Sequence, residues 1–111
     1  MSLSTHVLDV AHGVPAVNLA VSLLRIEDGG ARREIAAGST DADGRIAAPF
    51  GGDLAVGTYE LIFHVGAYYA HHDVAGFYTD VPVRFRISDA AVRYHVPLLL
   101  SPWGYTTYRG S

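Results

Sequence analysis

Short runs in which every second residue is apolar, separated by glycine-bearing turns, dominate this chain and leave few folds open to it. Tyr59, Leu61, Phe63 and Val65 alternate with Glu60, Ile62 and His64. Val83, Phe85 and Ile87 alternate with Arg84, Arg86 and Ser88, and Val92, Tyr94, Val96, Leu98 and Leu100 alternate with Arg93, His95 and Pro97. Successive side chains of a strand point to opposite faces, so each run has one face for a core and another for solvent or a partner. Val17, Leu19, Val21 and Leu23, with Asn18 and Ser22 between them, read the same way, and residues 31–37 and 105–108 add two further β-rich segments.

The breaks between runs are as informative. Asp28-Gly29-Gly30, Gly51-Gly52-Asp53 and Ser101-Pro102-Trp103-Gly104 are turn clusters, and in Thr40-Asp41-Ala42-Asp43-Gly44 the glycine accepts positive φ without steric cost, so Arg45 emerges at a turn exit. The runs at 83–88 and 92–100 are expected to pair across Ser88-Asp89. Only Ala67 to His72, bounded by Gly66 and Gly76, lacks both alternation and turn residues, and one short helix is expected there. Pro97 removes a ladder donor from its run, which favours an edge or a bulge. Seven or eight short strands with at most one helix predict an all-β fold, two antiparallel sheets packed face to face as a β-sandwich. At 111 residues, a single domain spanning 1–111 is expected.

Several function classes lose support at this point. Eight basic against eleven acidic side chains, with no Lys/Arg run, leave no electrostatic footprint for nucleic acid. There is no cysteine, hence no disulfide, cysteine nucleophile or thiolate metal site. The six histidines show neither His-x-x-x-His nor His-Glu-x-x-His spacing, so no metal is expected. No P-loop, dinucleotide-binding or Gly-x-Ser-x-Gly pattern occurs. No segment is long enough to span a bilayer, the first residues lack the pattern of a secretion signal, and Arg109-Gly110-Ser111 is not a peroxisomal address, so a cytoplasmic protein without membrane contact is expected.

Parity places His95, with Arg93 and Leu99, on the face opposite Tyr94, Val96, Leu98 and Leu100. An imidazole pointing away from the core beside apolar Leu99 and Pro97 suggests a face covered by a second subunit, and a concave site is easier to assemble between copies than inside one small sandwich. By itself such a histidine is more often a surface or interface residue than a catalytic one. His6 opens the first strand, but Leu8 and Val10 share its parity while Val7 also reads as buried, so its direction stays open. Arg45 taken alone is a solvated turn-exit cation. His12, His64, His71 and His72 are weaker candidates.

Leu3-Ser4-Thr5-His6-Val7-Leu8-Asp9, Tyr94-His95-Val96-Pro97-Leu98-Leu99-Leu100-Ser101-Pro102 and the final Tyr105-Thr106-Thr107-Tyr108-Arg109-Gly110-Ser111 together resemble 5-hydroxyisourate hydrolases of the transthyretin-like family. Thr40 to Arg45, Gly57-Thr58-Tyr59 and Phe77 to Pro82 are similar to the same family, although Asp-x-x-Gly and Gly-x-Tyr also occur in non-enzymatic β-modules. The resemblance implies opening of 5-hydroxyisourate by water to 2-oxo-4-hydroxy-4-carboxy-5-ureidoimidazoline in urate breakdown, without a cofactor. It further implies that His6, Arg45 and His95 are catalytic, that His6, Arg45 and Ser111 bind substrate, and that the sites lie where dimers meet in a homotetramer. Either histidine could serve as base or proton donor. Two readings compete with it: a transthyretin-type small-molecule carrier without catalysis, and a β-module of a larger assembly.

Overall fold

A computed structural model describes residues 2–111. Its elements in chain order are β1 (Ser2–Asp9), β2 (Val14–Pro15), β3 (Ala20–Ile26), β4 (Arg32–Ser39), β5 (Arg45–Ile46), β6 (Gly57–Phe63), α1 (Val65–His71), β7 (Val81–Ile87), β8 (Arg93–Ser101) and β9 (Gly104–Thr107). One sheet runs β2-β1-β8-β9, with β5 also on β1; the other runs β4-β3-β6-β7. The inward residues of both sheets meet in one core that includes Leu3, Val7, Leu23, Tyr59, Leu61, Phe63, Leu98 and Leu100, all essentially inaccessible to solvent. This is the expected β-sandwich with one short helix. Among the described residues no helix is long and apolar enough to cross a membrane.

The strand pairings correct three expectations. β7 and β8 do not pair across Ser88-Asp89: β7 lies beside β6, whereas β8 lies between β1 and β9 in the other sheet. Alternation reports which face a residue occupies but not which strand lies beside it. The intervening loop crosses between sheets, and the Tyr94 hydroxyl accepts hydrogen bonds from the backbone N–H of Ser88 and Asp89, each at 3.1 Å, to hold it there. The pairing of β1 with β8 is parallel over eight residue pairs, whereas every other named strand pair is antiparallel. A parallel neighbour requires a long crossover, supplied here by most of the chain. Finally, Val17 and Asn18 form a turn rather than a strand start: Asn18 has φ of 59°, and Val17 is exposed.

Boundaries shift elsewhere. The strand expected at 31–37 is β4 and covers Arg32–Ser39. The helix begins at Val65 and includes Gly66, whose N–H donates to the Thr79 carbonyl at 2.6 Å. Val65, Tyr68 and Tyr69, spaced three and four apart, bury one face of the helix against the core. Glu60, which alternation assigns to solvent, is buried because Arg32 and Arg84 reach its two oxygens from β4 and β7 at 3.0 and 3.1 Å.

Pro97 sits in a central strand, not at an edge. The β8–β9 register runs from Ser101↔Gly104 to Leu98↔Thr107, lapses beside Pro97, and resumes only as a bridge between His95 and Gly110. The Thr107 hydroxyl donates to the Pro97 carbonyl at 2.8 Å across the gap. The missing donor thus falls where the neighbouring strand has already ended.

Candidate functional site

The outward face of the β1/β8 sheet gathers the polar residues singled out from the sequence. In β1, Leu3, Thr5, Val7 and Asp9 are buried, so Ser4, His6 and Leu8 point away from the core. This settles the direction of His6. Its ambiguity in the sequence came from two polar residues on the inner face. Thr5 is tolerated there because its hydroxyl donates to the Val96 carbonyl at 2.7 Å. The Asp9 carboxylate accepts from the backbone N–H of His12 at 3.1 Å and from the Tyr68 hydroxyl at 2.9 Å, and it pairs with the His12 ring at 2.8 Å. Burial pushes the Asp9 pKa up, but these bonds outweigh it and hold the carboxyl below its ordinary value.

The parallel register sets Ser4 beside His95 and His6 beside Pro97, while β5, antiparallel on the other flank, sets Arg45 opposite His6. Arg45 is placed by a closed turn. The Asp41 carboxylate accepts from the backbone N–H groups of Asp43 (2.9 Å) and Arg45 (3.0 Å), and Gly44 N–H donates to the Asp41 carbonyl (2.9 Å). Gly44, at φ +75°, approaches β1 so closely that a Cβ would lie 2.5 Å from the Val7 carbonyl oxygen. Val7 N–H donates to the Gly44 carbonyl at 2.8 Å, so the turn is joined to the strand one residue after His6. Hydrogen bonds from Arg45 and Asp43 hold the Asp41 carboxyl low, with smaller contributions from the charges of Arg45 and His6.

The tail completes the arrangement. Gly110 N–H donates to the His95 carbonyl at 2.8 Å, and the Arg109 guanidinium lies 4.7 Å from the centre of the Tyr94 ring. Ser111 then reaches a half-open recess of about 240 Å³ whose walls are Ser4, Arg45, Arg93, His95 and Ser111. Three of the four expected residues therefore meet in one cavity. His6 does not line it; it stands beside Arg45 at its margin. Ser4 and Arg93 line the recess without having been singled out for a role, although Arg93 shares the parity of His95, and the hydroxyl of Ser4 stands two residues before His6, hence on the same face.

The recess carries two guanidinium groups and an imidazole that burial, then the charges of Arg45 and His6, shift towards the neutral form, with the polar backbone of Ser4 opposing. A neutral imidazole among cations can accept a proton from water, and the cations can hold an electron-rich ligand and the negative charge that develops on it. The other histidines serve elsewhere: His12 pairs with Asp9, His64 bridges Ser22 and Asp80, and the rings of Tyr68 and His72 pack 4.5 Å apart. Among the described residues no group of three or more His, Cys, Asp or Glu is placed to hold a metal ion.

A two-sheet sandwich with a short helix after its sixth strand, and a recess on the outward face of one sheet that gathers an imidazole and two guanidinium groups, defines a transthyretin-like domain. The chain belongs to the HIUase/Transthyretin family, whose model matches residues 3–110. It is 51% identical to 5-hydroxyisourate hydrolase 2 of Rhizobium meliloti (strain 1021), over 98% of this chain and 95% of that protein. Its fold matches that of Klebsiella pneumoniae 5-hydroxyisourate hydrolase with a TM-score of 0.86 at 38% identity, covering both chains completely. It matches sea bream transthyretin in complex with thyroxine with a TM-score of 0.93 at 29% identity, over 99% of this chain and 95% of the other. The transthyretin is thus at least as similar in backbone, and the hydrolases are more similar in sequence.

Proposed function

We infer that this protein hydrolyses 5-hydroxyisourate to 2-oxo-4-hydroxy-4-carboxy-5-ureidoimidazoline. The observation that carries the reading is the convergence of His95, Arg45 and Ser111 on one recess, in a chain so similar to enzymes named for this reaction. An imidazole takes a proton from water, whose oxygen bonds to a ring carbonyl carbon. Arg45 stabilises the oxyanion that forms, the ring C–N bond breaks, and the departing nitrogen receives the proton. The product gains a carboxylate and no redox partner is required. His6, beside Arg45, contacts the substrate from the margin, and Ser111 orients substrate or water.

We further propose that the working form is a homotetramer in which these faces meet between dimers. Support comes from the recess opening outward rather than into the sandwich, and from apolar side chains left on the surface. Leu8 on the recess-bearing face is 37% exposed, and Phe77 and Trp103, whose rings lie 6.1 Å apart, are 66% and 70% exposed. A carrier reading is favoured by the backbone likeness to a thyroxine-bound transthyretin. One experiment separates the two: freshly generated 5-hydroxyisourate is followed by ultraviolet absorbance with and without protein. Accelerated decay supports the hydrolase, whereas thyroxine binding without acceleration supports the carrier. Light scattering of the same sample tests the tetramer, and a monomer refutes it.

A further inference from the structure

The His95 ring is held on two edges. Its Nδ1 lies 2.8 Å from Ser4 Oγ. Along the opposite edge the tail passes so close that a Cβ on Gly110 would lie 2.5 Å from His95 Cδ2, nearer than real side chains approach. The free edge is Cε1 and Nε2, and Nε2 has no hydrogen-bond partner among the described residues.

A neutral imidazole carries a single N–H, and the partner of one nitrogen decides which role the other plays. The Ser4 hydroxyl oxygen can accept from an N–H on the nitrogen that faces it, and that bond favours a proton on Nδ1. The lone pair is then left on Nε2. We propose that Ser4 is a positioning residue that keeps the His95 proton on Nδ1 and so presents Nε2 as the acceptor of a proton from water, while the absence of a side chain at Gly110 lets the tail lie against the ring without turning it. This rests on the hydrolase reading. In the reaction Nε2 takes one proton as the water oxygen bonds to the ring carbonyl carbon, the Ser4 hydroxyl oxygen stabilises the doubly protonated ring, and Nε2 returns the proton to the nitrogen released when the C–N bond breaks. One water is consumed and His95 ends as it began.

The test uses the intact protein with nitrogen-labelled histidine, whose long-range proton–nitrogen spectra at neutral pH distinguish protonated from unprotonated ring nitrogens; His95→Asn assigns the signals. The wild type is expected to show His95 protonated at Nδ1 and bare at Nε2. Ser4→Ala should give mixed tautomers and lower kcat by roughly tenfold with KM little changed, the order of loss when an orienting partner is removed from a working imidazole. Ser4→Thr, which keeps the hydroxyl, should restore both. Gly110→Ala should shift the ring signals and lower kcat while Nδ1 stays protonated. An active wild type with the proton on Nε2 overturns the proposal by itself, without any variant having to fold. A Ser4→Ala protein with unchanged tautomer and unchanged kcat also overturns it. A wild type with the expected tautomer but no turnover sinks the hydrolase reading instead and reduces the Ser4 bond to a structural one.

Discussion

His6 and Arg45 face each other as cross-strand partners, one on β1 and the other on the two-residue strand β5 that follows the Asp41–Gly44 turn. The guanidinium is exposed and nothing in the core depends on it, so its removal separates chemistry from stability. Arg45→Ala should reduce kcat/KM by at least about a hundredfold, as loss of an oxyanion-stabilising group typically does, with an unchanged melting curve. Steady-state kinetics by absorbance, paired with thermal unfolding, checks both halves. Wild-type turnover would remove Arg45 from the reaction.

The turn that delivers Arg45 should be less tolerant than Arg45 itself. At Gly44 both the positive φ and the Val7 carbonyl 2.5 Å from an added Cβ oppose any side chain. Gly44→Ala is expected to destabilise the fold by about 1–3 kcal/mol, in the range for a non-glycine residue forced into such a conformation. Urea unfolding measures this, and activity should fall at temperatures where the variant remains folded, because the turn no longer seats β5 on β1.

Acid should silence the enzyme through His95. Burial, then Arg45 and His6, lower its pKa below the ordinary value of 6.5. The pH profile of kcat/KM should therefore be flat above that value and decline only on its acid side; a decline beginning above it would refute His95 as the base. The same shift has a sign for stability. Between the folded and unfolded pKa values the unfolded chain binds more protons, so this group's contribution is fully present above 6.5 and is lost as pH falls through the lower folded value.

How much of this could be read beforehand depended on which physical signal each residue emits. β6 and β8 announce themselves because their inner positions are uniformly apolar. β1 does not, because Thr5 and Asp9 occupy inner positions and satisfy their polar atoms through Val96, His12 and Tyr68, partners that exist only once the chain has folded. The direction of His95 was legible from parity alone; its meeting with Arg45 and Ser111 rested on the family likeness. Ser4 drew no role because its neighbour across the parallel register is 91 residues away. Glu60 misled for a related reason, since its two arginines come from strands that alternation cannot assign as neighbours.

Tyr69 offers a test of the core away from the site. Its ring is buried, burial pushes its hydroxyl pKa up to about 12, and the hydroxyl oxygen has no hydrogen-bond partner. Tyr69→Phe removes an uncompensated polar atom and keeps the ring, so stability should rise by up to about 1 kcal/mol with no effect on kcat. A loss of stability in the variant would mean that the hydroxyl makes a bond in solution.

Ser111 is probed by extending the chain. Because it lines the recess with Arg45 and His95, residues appended after it leave from the wall of the site, whereas Ser2, where β1 begins, pairs with Arg93 without itself lining the recess. A tag at the C-terminal end should reduce turnover far more than the same tag at the other end, and its proteolytic removal should restore the rate. Equal rates would exclude Ser111 from substrate contact.

The parallel seam between β1 and β8 has a consequence for how the protein comes into being. Ser4 is synthesised 91 positions before His95, so a nascent chain that stops short of β8 cannot hold the assembled pair. Such distant partners also make folding slow relative to chains built from local contacts. Turnover therefore reports more than chemistry: a molecule that opens its substrate has been synthesised through β8 and has joined β1 to it, and activity that appears after dilution from denaturant cannot precede the closing of that seam.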